Sequence, residues 1–595
     1  MDIESIISAS SRAQQATDSV LGNCSKTWHV GFFFDGIHRN IEQDAPEHRL
    51  SNIARLFRAF PDLKQNTSHE SYDAFYISGL GTPFLENAAS KLHNIMDEAQ
   101  GSIIDDLQGQ PEDLAKEAGI ELLKGSDWYE ILKSQAKKLI NPLEWKKLAV
   151  DSAKNAAKKV ITEAVPRLRD NPTISDLLVT GVPSRINSTK ATFEEAFTLA
   201  QKQSSVPVKL ISISMFGFDL GATLARKFAD ELLEDLCQKQ GEKYTYKGVP
   251  VEIVFVGLFD CSRHTPASSN NGLGELITWI GGPLRPVGVL LGEKSVDQDS
   301  PLNPAIKKTL HLVAAHENRL WRTLYRLGDG SANYREEVLP GCAEDIGGGL
   351  KFDEQKPSAE LCRVALHRMY REATMAGVPF PDFQTLDKTD TDVASYFIMQ
   401  DNVKNQSAAY WVKKYQSAIT AKDVSASALN HHMDSYINWL GIQYYQYLTE
   451  YQAHDDMRRE GLDSAGSSAG LLGISPQARA DEKNQLNKMT ILKTNWGWLD
   501  DVRSAAFVLT QSIANNPDDK RVHVLPDIYG PGYRRAKKFL DYARAASLKE
   551  PMPLPDDYAP AEIFSYFIHD IQAIDKSASI SEEFFLIRLF DEIEL

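Results

Sequence analysis

The stretch from Leu210 to Phe228, LISISMFGFDLGATLARKF, decides the reading of this chain. It opens as an apolar run suited to a buried strand, turns through Gly217-Phe218-Asp219-Leu220-Gly221, and continues as an amphipathic helical pattern. Glycines on both sides of one residue let a tight turn hold that residue in a strained conformation, with its side chain exposed at the start of the helix. This is the shape of a nucleophile elbow, written G-x-S-x-G, but Asp219 stands where that pattern has serine.

Working outward, apolar runs at 30–34, 207–216, 251–259 and 336–339 alternate with helical stretches. Such alternation argues for an α/β protein with a mostly parallel, doubly wound sheet and helices on both faces. In sheets of this kind functional groups collect at the carboxyl ends of the strands, which is expected to bring Asp35, Asp219, Asp260 and the Glu344-Asp345 pair near one another.

The rest divides by composition. Residues 1–26 form a polar leader, 27–380 an α/β body, and 381–595 a mostly helical region containing Trp411, Trp439, Trp496 and Trp498. Within the body, about 84–171 reads as an inserted helical cap rich in alanine, lysine and glutamate. There Leu148, Val150, Ala153, Ala157, Val160, Ile161 and Val165 approximate one apolar stripe, read as a face packed on the body or, alternatively, as a lipid-touching cap. HLVAAHENR, from His311 to Arg319, is expected to be a helix, with His311 and His316 about 140° apart around its axis. The Gly/Ser-rich run from Gly461 to Pro476 is expected to be a loop.

Lysine and arginine number 65 against 81 aspartate and glutamate, a formal charge of -16 that disfavours nucleic acid and broad attachment to anionic lipid. The 5 cysteines show no paired spacing, so neither a disulfide framework nor a zinc site is indicated, and no motif asks for a cofactor. That pattern suits folding in a reducing cytosol. The N-terminus lacks the apolar core of a secretory signal, and no window approaches the ~18 uninterrupted apolar residues of a membrane span. Action outside the producing cell therefore calls for a dedicated secretion machine.

GFDLGATLAR resembles the GFSRGA-x-x-AR signature of an uncharacterised alpha/beta-hydrolase family that includes the type VI secretion lipase effectors. WHVGFFFDGIHRN, from Trp28 to Asn40, resembles that family's opening strand and FFDGT-x-N-N turn, with Ile37 where threonine is usual. SNIARLF from Ser51 and YISGLGT from Tyr76 resemble its NI-x-x-L and Y-x-x-G-x-GT segments. IVFVGLFD, ending at Asp260, resembles the strand that carries the triad aspartate, and HLVAAHENR is similar to the HALA-x-DE-x-R helix. LPGCAEDIGGG, ending at Gly349, resembles G-x-H-x-DVGGG, with the family's histidine falling on Ala343. LHRMYREATMAGVPF from Leu366 and FIHDIQA, containing His569, are similar to later segments of the secreted lipases.

The resemblance implies an alpha/beta-hydrolase fold and ester hydrolysis of membrane phospholipid by an antibacterial toxin. It further implies a secretion spike or adaptor that carries the chain into the target-cell periplasm, and an immunity protein as a further partner. It places an oxyanion hole at the N–H groups of Leu220 and of Gly36 or Ile37, and makes Asp260 the residue that orients a histidine.

Four chemistries fit these residues. Hydrolysis can use a displaced set, Ser212, Ser214 or Ser262 with His311, His316 or His569. Asp219 can itself be a nucleophile that forms an alkyl-enzyme ester, although its attack on a carboxylic ester would give an anhydride. The carboxylates can hold magnesium or calcium. Finally, the site can be that of a pseudohydrolase, a binding or delivery module that has lost both serine and histidine.

Overall fold

The computed structural model describes residues 25–84, 181–263, 302–469 and 475–589, apart from short stretches at 63–64, 204–205, 242, 321, 329–332, 420, 422, 517–521, 524, 555–558 and 571–579. The expected cap at about 84–171 and the leader thus lie almost wholly outside the described residues. The chain separates into two compact units, one made of Met1–Ala314, Trp321–Ala408 and Leu589–Leu595, the other of Ala315–Leu320 and Ala409–Arg588.

The first unit is a mixed α/β structure around one central sheet. Its parallel strands are β1 (Lys26–Phe34), β2 (Glu70–Ile77), β3 (Val208–Phe218), β4 (Val249–Phe259), β6 (Thr309–Ala314) and β8 (Tyr334–Leu339), in the order β8-β6-β4-β3-β1-β2. Gln238–Gln240 and Lys243–Tyr246 add an antiparallel edge against β4. β5 (Ser262–Arg263) and β7 (Thr323–Leu324) form a separate antiparallel ribbon. The chain goes from β1 outward to β2 and then returns to the other side of β1 to form β3, so the order reverses between β1 and β3. Crevices open at such a reversal, beyond the carboxyl ends of the strands.

Period-two alternation divides the core between the sheet's faces. Trp28, Val30, Phe32 and Phe34 of β1 and Ile211, Ile213 and Met215 of β3 pack in one layer with α2 (Val182–Gln203) and α3 (Leu220–Glu231). Phe33, Phe216 and Phe218 point the other way, into a layer with α1 (Asn52–Ala59), α4 (Ala343–Gly347) and α5 (Leu361–Met375). At about 1.5–3 kcal/mol for each fully buried large side chain, the phenylalanines of β1 alone bind both layers firmly to the sheet.

The segment expected to be a helix from His311 is strand β6 and the turn after it, so His311 and His316 share no helix. The run Thr309–Ala314 is buried throughout between β4 and β8, and a strand buried on both faces reads as a continuous apolar run that periodicity cannot tell from a helix.

The second unit is helical, with α6 (Ala408–Ala418), α7 (Ala426–Ala469), α8 (Pro476–Trp496), α9 (Leu499–Asn515), α10 (Pro526–Ser547) and α11 (Ala561–Tyr566). α7 and α10 approach closely at Gly441, where a Cβ would overlap the ring of Tyr542. The segment expected to be a loop from Gly461 to Pro476 continues α7 as far as Ala469, while 470–474 lie outside the described residues. A helix that is already propagating accepts glycine at about 1 kcal/mol apiece, here Gly461 and Gly466, and tolerates serine and alanine, so composition alone does not end it.

Candidate active site

Asp219 is the one residue between β3 and α3, with φ 53° and ψ -124°. Both flanking glycines are required by close approach: a Cβ on Gly217 would overlap Ala222, and one on Gly221 the carbonyl oxygens of Phe34 and Asp35 at the end of β1. The backbone bend is fixed by Asp219 N–H donating to Phe259 O (2.9 Å) and by Asp219 O accepting from Ala222 N (3.1 Å) and Ser262 N (3.3 Å). Phe218 presents one ring edge to Gly36 and the other to Gly347, joining the turn after β1 to the last residue of α4.

The elbow side chain, expected to be exposed, is buried: Asp219 is 1% exposed. One carboxylate oxygen, Oδ1, accepts from the Ser262 hydroxyl. The other, Oδ2, pairs with Nη1 of Arg322, itself buried. The first residue of the ribbon and the residue before its second strand thus close over the elbow.

Asp260 lies beside the elbow, at the end of β4, also with a positive φ of 45°. Its N–H donates to Leu312 O (2.7 Å) and its Oδ1 accepts from Ala314 N (2.8 Å), so it ties the end of β4 to β6. His311 is nearby on β6. Its Nε2 accepts from Cys261 N (2.9 Å), which leaves its proton on Nδ1 for donation to Glu336 Oε1 (2.8 Å). The imidazole is held as one tautomer between a backbone amide and a carboxylate. Ala343 is fully buried at the start of α4.

The remaining candidates divide. Gly36 and Ile37 follow β1, but the Gly36 N–H donates to Asp35 Oδ1 (2.8 Å) and is already used. Leu220 is the first residue of α3. Ser212 and Ser214 are buried within β3, whereas Ser262 touches Asp219. His316 and His569 are buried in the second unit.

Nor do the carboxylates converge on a cation. Asp35 accepts from Ser51 Oγ (2.7 Å) and Tyr76 Oη (2.6 Å), and Asp345 accepts from Cys342 N (3.1 Å). Among the described residues no group of three His, Cys, Asp or Glu side chains is arranged to hold a metal ion. Burial pushes the Asp35 carboxyl up to about 6, against the hydrogen bonds from Tyr76, Ser51 and Gly36 that favour its charged form.

Sequence reading missed Arg322, Thr223 and Arg226. Thr223 and Arg226 had one signal, two polar residues three apart on a helix whose other buried residues are apolar or glycine; Arg322 had none.

No family model and no curated protein matches the chain. Among solved structures it is similar to that of an uncharacterised protein from Pseudomonas aeruginosa, at a TM-score of 0.53 and 16% identity, over 98% of this chain and 82% of that one. That likeness concerns the fold alone. A second structure, the Tle1 effector bound to the VgrG spike of the type VI secretion system, aligns at a TM-score of 0.28 and 15% identity, over 56% of this chain and 53% of that one.

Proposed function

We propose that the chain is a pseudohydrolase of the lipase-effector type: an alpha/beta-hydrolase scaffold that engages membrane phospholipid and a secretion spike without cleaving the lipid ester. The observation that carries this reading is the state of Asp219, whose carboxylate oxygens are engaged by Arg322 and Ser262. A carboxylate so held is a poor nucleophile, its attack on an ester would yield an anhydride, and its charge beside the first N–H groups of α3 opposes an oxyanion there. The effector context rests on the motif resemblance, which runs in order from Trp28 to Gly349.

A second reading is favoured by one contact: Ser262 as a displaced nucleophile with Asp219 as its base. The ion pair with Arg322 weighs against it, because a paired carboxylate is a weak base.

The test is turnover of phosphatidylethanolamine and phosphatidylglycerol vesicles and of a short-chain ester by the full chain, alongside flotation with the same vesicles. Co-flotation without turnover is expected. Turnover abolished by Ser262→Ala would establish the second reading, and turnover that survives it would overturn both.

A further inference from the structure

The helix that follows the elbow carries a buried polar stripe. Thr223 and Arg226 stand three residues apart on one face of α3, and Asp219 precedes the helix at the elbow, each no more than 5% exposed. All three end on the ribbon of β5 and β7. Asp219 takes the Ser262 hydroxyl and the Arg322 guanidinium. Thr223 Oγ1 donates to Ser262 O (2.7 Å). Arg226 Nη1 donates to the carbonyls of Tyr325 (3.2 Å) and Arg326 (2.8 Å), and its guanidinium lies 3.3 Å from the Tyr325 ring centre. Arg263 lies 3.4 Å from the same centre, so the two guanidinium groups must take opposite faces of the ring. On its far edge the ribbon gains another rung, Leu324 N donating to Leu589 O (2.9 Å), while Tyr325 N donates to Cys261 O (3.0 Å).

We infer that this stripe is a latch, and that the ribbon 261–263 and 322–325 is a strap held shut across the elbow. The Asp219–Arg322 ion pair is its charge-dependent catch. Backbone pairing between strands two residues long is too little to keep such a strap closed. The side chains of Asp219, Thr223 and Arg226 add to the backbone bonds that Leu324 makes to Leu589 and Ser262 makes to Asp219. Breaking a buried pair from one side leaves a desolvated charge, which favours opening to water. The latch goes beyond the proposed function, because a closed strap bars the elbow whether or not the elbow can cleave an ester.

Hydrogen exchange on the full chain tests it, with Asp219→Asn, Arg322→Gln and the double variant compared with the unaltered protein. Each single variant is expected to raise exchange at the amides of Ser262, Leu324 and Tyr325 at least tenfold, with the interior of β1 and β3 unchanged, and the double variant to recover much of that rise. Alkylation of Cys261, fully buried in the closed strap, should accelerate in parallel. Unchanged ribbon exchange in both single variants, or effects that simply add in the double, overturns the latch. If the charge variants do not fold, Thr223→Val removes one hydroxyl at constant shape. A two- to fivefold rise confined to the ribbon then supports the latch, and a rise spread evenly over the sheet or no rise at all refutes it.

Discussion

Phe218 and Gly347 are in contact so close that a Cβ on the glycine would overlap the ring. The opposite ring edge meets Gly36 in the same way, so one phenylalanine sets the separation between the turn after β1 and the end of α4. Gly347→Ala is therefore expected to destabilise the first unit by about 1–3 kcal/mol, the cost of overpacking a filled core. Urea unfolding followed by circular dichroism measures this. A midpoint equal to the parent's would show that the slot relaxes freely.

Asp35 makes stability depend on pH in a defined direction. Its carboxyl titrates at about 6 in the folded protein and near 3.8 when unfolded, so between those values the folded state binds more protons. Stability is then gained as pH falls from about 6 to about 4 and lost as pH rises through 6, by roughly 3 kcal/mol at most. Asp73 is raised to about 6 by burial as well, so the contribution of Asp35 must be isolated by difference. Thermal melts across this range should show a shallower pH dependence for Asp35→Asn than for the parent. Parallel curves would refute the assignment.

The parts legible in the sequence were those fixed locally. The bracket of Gly217 and Gly221 announced the elbow because no side chain fits where Gly217 meets Ala222 and Gly221 meets the end of β1, and the apolar runs gave four of the strands. Longer-range features were not legible. A buried parallel strand such as Thr309–Ala314 has no alternation to distinguish it from a helix, and helix α7 extends to Ala469, past Gly461, where composition suggests a loop. Arg322 could not be matched to Asp219 because nothing local pairs them; only the folded ribbon brings them together. For the same reason an elbow side chain expected in solvent is buried.

In the second unit Tyr415 Oη is hydrogen-bonded to His432 Nδ1 (2.7 Å) and His316 Nε2 (3.1 Å), and His432 Nε2 donates to Ala421 O (3.1 Å). With His432 Nε2 carrying its proton, neutral His432 accepts the tyrosine proton at Nδ1. Burial lowers the His432 pKa to about 4 and that of His316 well below its usual value. The unfolded chain therefore binds protons that the folded unit refuses, and stability is lost as pH falls from about 6.5 towards 4, opposite in sign to Asp35. Tyr415→Phe, which removes the shared hydroxyl, should cost about 1–3 kcal/mol at neutral pH. Tryptophan fluorescence during urea unfolding reports it, and a loss below about 0.5 kcal/mol would show that the hydroxyl is not a structural link.

On the proposed reading, installing hydrolysis should require three changes. Asp219→Ser supplies a nucleophile at a strained elbow, and Ala343→His supplies a base where the resemblance sets one, with Asp260 beside the elbow to orient it. Arg322 remains an obstacle in that double variant. Its guanidinium is seated against the elbow side chain, and a fixed cation there opposes the imidazolium that must form as serine attacks. It also keeps the strap anchored. Adding Arg322→Gln removes the charge and frees the ribbon, so the triple variant is expected to hydrolyse a short-chain ester at least ~100-fold faster than any single or double variant, the non-additivity of groups that act as a unit. Fully buried Ala343 must make room for an imidazole, which sets a stability cost of about 1–3 kcal/mol and makes a thermal melt necessary for every variant. Equal turnover by the double and triple variants would remove Arg322 from the argument, and a well-folded but silent triple variant would mean that the positions of residues 219, 260 and 343 no longer form a triad.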